Sequence, residues 1–134
     1  MPRRVHHDEI ETFNQEVASI AAYVAVVEGT ADGQANLPGG ASAAAFLGIT
    51  KYAGSATAGD PIEVITAGCC DALVKAGTTD IARGDWLEIH GTTGMLAKSA
   101  MTNGKQIVAR ALQAATEDDE IIAVRICQFV MPAS

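Results

Sequence analysis

The chain has 134 residues, 49% of them hydrophobic but only 4% aromatic, and a formal net charge of -7; this fits one domain whose thin core is built from Ala, Val and Ile. The acidic balance argues against a nucleic-acid partner, because binding a phosphate backbone needs Lys and Arg to displace counterions. No apolar run reaches the roughly 18 residues of a membrane span, and no basic segment leads into an apolar one at the start, so a soluble, unprocessed protein with no membrane partner is expected.

Residues 1–20 read as an N-terminal arm. They hold Arg3, Arg4, His6 and His7, then turn acidic, with little to bury before Ile10. Ile10, Phe13, Val17 and Ile20 fall near helical spacing behind a capping box of Asp8 and Glu11, which is compatible with one short amphipathic helix. An extended arm that a partner orders on docking has the same composition.

From Tyr23 onward, short runs rich in Val and Ile alternate with clusters of Gly, Asp, Asn, Thr and Ser at regular intervals, the pattern of a β-barrel or sandwich. Strands are expected near Tyr23–Val27, Phe46–Tyr52, Pro61–Thr66, Cys69–Val74, Trp86–Ile89, Ile107–Ala114 and Ile121–Val130. The Gly- and Ala-rich stretch from Glu28 to Ala44 lacks periodicity and reads as a long loop. Residues 21–134 then form the barrel domain.

An internal repeat is the most specific architectural signal. Gly59-Asp60-Pro61-Ile62-Glu63-Val64 is matched by Gly84-Asp85-Trp86-Leu87-Glu88-Ile89, both G-D-x-[I/L]-E-[V/I]. A weaker third copy starts at Glu120, with apolar Ile122 and Val124 two and four positions on. Gly and Asp suit a turn, and the alternating residues suit a strand with one buried face.

The groups that could carry chemistry do not assemble into a recognisable site. The paired carboxylates Asp60/Glu63 and Asp85/Glu88 recur in equivalent turns rather than facing one cleft in different environments. Glu117-Asp118-Asp119-Glu120 lacks the alternating ligands of a calcium loop. His6, His7 and His90 have no cysteine near enough to complete a metal motif. The chain carries no Walker loop, nucleophile elbow or HExxH. Cys69, Cys70 and Cys127, odd in number and two of them adjacent, suit reduced, inert thiols and hence synthesis in a cytoplasm. Lys98 could be read as a carrier lysine, but its neighbours are Ala97 and Ser99. No enzyme, cofactor or metal is expected.

The order of the pieces resembles the phage capsid cement, or head decoration, protein family. The resemblance is carried by Phe46-Leu47-Gly48-Ile49-Thr50 before Ala58–Val64, by Ala76-Gly77 before Ile81–Leu87, and by Ile107–Leu112 before Ile121–Ile126. It spans about residues 23 to 130. It implies a mainly β fold, a small β-tulip-like barrel with an N-terminal arm. It further implies a homotrimer on the outer surface of the expanded virion head, made in the host bacterial cytoplasm, that clamps neighbouring major capsid protein subunits. Members of the family use an N-terminal arm for capsid contact, which by region singles out Arg3, Arg4, Ile10 and Phe13. The alternatives weighed beside it are a lipoyl-like carrier domain using Lys98 and a small β-barrel enzyme using Cys70 or the turn carboxylates.

Overall fold

The structure is a computed structural model that describes residues 9–39, 45–101 and 104–130. Its described regular elements are all strands: β1 (Glu9–Gln15), β2 (Ala25–Glu28), β3 (Gln34–Asn36), β4 (Phe46–Thr50), β5 (Pro61–Ala67), β6 (Cys69–Val74), β7 (Trp86–His90), β8 (Met95–Lys98), β9 (Gln106–Ala111) and β10 (Glu120–Val130). They close into two five-stranded rings, β1-β3-β2-β4-β5 and β10-β6-β8-β7-β9. The mainly β small-barrel expectation is met, with the barrel made twice.

Residues 9–15, expected within the arm, are a strand rather than a helix. β1 runs antiparallel to β5, with Ile10 opposite Ile65 and Phe13 opposite Ile62, and its end runs parallel to β3. Phe13 and Val17 pack against the smaller core cluster and Gln15 is fully buried. The inward residues therefore recur every second position, as a strand requires. Two further differences concern short strands: β3 inside the expected long loop, and β8 after the turn at Gly91–Gly94.

The two rings share apolar material. Val24 and Val26 join the smaller cluster with Ile20, Ala35, Ile62 and Val64. Ala25 and Val27, on the other face of the same segment, join the larger cluster with Phe46, Ile49, Leu87, Ile89, Leu96, Val108 and Val124. A strand buried on both faces is continuously apolar, which is what the run from Val24 to Val27 shows. Backbone bonds stitch the same junction: Leu73 N donates to Tyr23 O at 2.8 Å and Ala25 N donates to Gly94 O at 2.7 Å. Gly94 lies at φ +82°, and a Cβ there would stand 2.5 Å from Ala25 O. Only glycine permits both the backbone angle and the approach.

The sequence repeat is a structural repeat. Gly59 and Gly84 have φ of 94° and 97°, and in the third copy Asp119 takes the equivalent place at 66°. The amide at each position caps the end of another strand: Gly59 N donates to Gln15 O, Gly84 N to Ala111 O and Asp119 N to Val74 O. The acid that follows bonds locally, Asp60 Oδ2 accepting from Ser55 Oγ, Asp85 Oδ2 from Ala82 N and Glu120 Oε2 from Thr116 N. Two and four residues after the acid, Ile62/Val64, Leu87/Ile89 and Ile122/Val124 are buried. The acids are turn devices.

Candidate interaction surface

Of the residues singled out for partner contact, Arg3 and Arg4 lie outside the described residues. Ile10 is 40% exposed on the outer face of β1, while Phe13 is half-buried and turned into the first ring. Sequence proximity thus joins two residues that the strand separates onto opposite faces. Pairing of β1 with β3 is confined to Asn14 and Gln15. Among the described residues, one edge of Glu9–Phe13 is therefore left open, and an open strand edge is a template for adding another strand.

A second surface was not foreseen from the sequence. On the outer face of the second ring, the Trp86 ring meets Phe129 edge-on, with centroids 5.2 Å apart and planes at 88°. The Arg110 guanidinium lies 5.2 Å from the Trp86 centroid, and its Nε donates to Gly84 O at 3.1 Å. Arg110 is directly opposite Trp86 on one side and Arg125 on the other. Both arginines are exposed, and both rings are half-buried. Burial pushes the nearby Cys127 thiol up in pKa, while the positive charges of Arg110 and Arg125 act on it in the opposite sense. These residues come from β7, β9 and β10. Only the register unites them, so no local motif marks the site.

The alternative chemistries find little geometric support. Lys98 sits in β8, beyond the hairpin tip, with its Nζ 3.6 Å from Asp85 Oδ2. Cys69 and Cys70 line an open depression of about 230 Å³ with Tyr23, Thr50, Lys51, Ile65 and Asp71, and His90 is not among the lining residues. In the acidic run, Asp118 accepts from Gly77 N at 2.8 Å and pairs with Lys75 at 3.2 Å. The Gly77 amide and then Lys75 hold its carboxyl below the usual range. Among the described residues, no three of His, Cys, Asp and Glu are grouped to hold a metal ion.

The geometry defines a small protein of two closed β-rings that displays an aromatic and cationic cluster on its outer surface. Comparison with known proteins agrees. The family model described as phage cement protein matches residues 6–126, and the chain belongs to that family. Among solved structures, the chain is similar to the head fiber gp8.5 N base of bacteriophage phi29, at 14% identity and a TM-score of 0.64, covering 94% of this chain and 99% of that one. That likeness is one of fold. No curated protein matches the chain. Membership of that family makes it a phage structural protein associated with the capsid.

Proposed function

We propose that this protein is a decoration protein that binds the outer surface of the expanded head and stabilises contacts between major capsid protein subunits. In this reading it acts as a homotrimer at three-fold and quasi-three-fold positions, after synthesis in the host bacterial cytoplasm. The family match over residues 6–126 is the observation that carries the reading. A ligand that binds only the assembled, expanded lattice stabilises it by mass action, and many repeated sites add. No catalytic step is needed.

The contact site is proposed at the start of the chain: Arg3 and Arg4 ahead of β1, then Ile10 on its outer face beside the open edge, with Phe13 anchoring the strand from within. Its support is the exposure of Ile10 and the one-sided pairing of Glu9–Phe13. The test is co-sedimentation with expanded heads and with unexpanded procapsids of the encoding phage, with the free protein's mass measured by sedimentation equilibrium. Binding to expanded heads alone, by a trimer, is expected. Absence of binding to either particle overturns the reading, and equal binding to both overturns its maturation dependence.

A further inference from the structure

We propose that the outer face of the second ring around Trp86, Arg110, Arg125 and Phe129 docks an acidic segment of the capsid surface, whose carboxylates seat between the two arginines. This rests on the decoration reading and names a second contact that the family match does not assign.

The argument starts from a cost. Arg110 and Arg125 are direct partners across the β9–β10 pair, and like charges placed opposite each other on a sheet destabilise it. Among the described residues, no carboxylate forms an ion pair with either arginine to offset this. Lys75, Lys98 and Lys105 are each held by an acid, Asp118, Asp85 and Glu88 respectively. Glu88, two residues from Trp86 on β7, is drawn to Lys105 at 3.6 Å instead. Two positive charges thus stand opposite each other without an ion pair, on a chain of net charge -7.

The surroundings suit recognition. The stacking of Arg110 on Trp86 and its bond to Gly84 O hold the guanidinium in one orientation before a partner arrives, which lowers the entropy lost on binding. Trp and Arg dominate the energetics of protein interfaces, and the Trp86–Phe129 pair supplies an apolar floor. A carboxylate between the guanidiniums would remove the repulsion and gain charge-assisted hydrogen bonds. The net charge of -7 disfavours approach of an acidic segment elsewhere on the protein, which adds to the preference for this face.

The test compares wild type with Arg125→Gln and with Arg110→Gln/Arg125→Gln, by occupancy on expanded heads and by thermal melting. The double variant should bind about tenfold more weakly at low salt, with a smaller loss at high salt. Arg125→Gln should melt no earlier than wild type, because it relieves the repulsion; it carries the binding test by itself if the double variant is unstable. Wild-type heads-binding with a double variant within about twofold overturns this assignment and leaves the decoration reading standing. If wild type does not occupy heads, the decoration reading falls and this assignment with it.

Discussion

The side chain of Gln15 reaches from the end of β1 to the loop before β5, where its Nε2 donates to Thr57 O at 2.7 Å and to Ser55 O at 2.8 Å. Gln15 is fully buried, so these bonds form where water cannot replace them. Gln15→Leu keeps the bulk and removes the donors, and should cost about 1–3 kcal/mol, measured by denaturant unfolding. An unchanged midpoint would show that the loop does not depend on β1.

The same bond divides the start of the chain. Deleting residues 1–8, which hold few apolar groups, should leave the melting transition nearly in place and reduce head binding. Deleting residues 1–19 removes β1 and opens the first ring, and should abolish a cooperative transition. Scanning calorimetry on both truncations distinguishes an expendable segment from a structural strand.

The junction between rings is tested at Gly94. Gly94→Ala meets both an unfavourable φ and Ala25 O, and a loss of about 2–3 kcal/mol is expected. Gly33, at φ +77° with open space around it, provides the comparison, where Ala should cost about 1 kcal/mol from the backbone alone. Equal losses would mean the approach to Ala25 relaxes freely.

In the repeated turn, Asp119 occupies a backbone conformation filled by glycine in the other two copies. Asp119→Gly should stabilise by about 0.5–1 kcal/mol, because the strain relieved exceeds the added freedom of the unfolded chain. Asp85→Ala should cost about 1 kcal/mol by releasing the Ala82 amide. Chemical denaturation of the two variants should move in opposite directions.

Acid sensitivity is expected at Asp118. Its folded-state pKa is depressed, first by the Gly77 amide and then by Lys75, so its contribution is present above the ordinary carboxylate pKa and lost as pH falls through the folded value. Asp118→Asn should flatten the decline in melting temperature below about pH 4. An identical decline in wild type and variant would assign the acid response to other carboxylates.

Much of the barrel is legible because short Val- and Ile-rich runs are set off by clusters of turn residues. Cys69–Val74 was placed to the residue, and Pro61–Ala67 and Glu120–Val130 to within one. β1 was hidden by its own core residue: Phe13, Gln15 and Val17 point inward, but an inward glutamine breaks the apolar alternation, leaving Ile10, Phe13, Val17 and Ile20 to mimic a helix. β3 offers three residues with only Ala35 buried, too little pattern to stand out from its Gly-rich surroundings. The Trp86–Arg110–Arg125–Phe129 surface was illegible for another reason. Its members become neighbours only once β9 sits between β7 and β10, and register is a property of the assembled sheet.

Ring closure has a consequence wherever copies of the protein meet at high concentration. Crowded side by side, open sheets invite edge-to-edge pairing and disordered clumping, since every exposed edge fits every other. Here each ring returns on itself, β5 to β1 and β9 to β10, so most of the backbone has no hydrogen bonds to offer a neighbouring copy. Glu9–Phe13 keeps an edge available among the described residues, and it adjoins the segment proposed to reach the lattice. Closure therefore limits pairing between copies to the few stretches of edge it leaves open, Glu9–Phe13 among them.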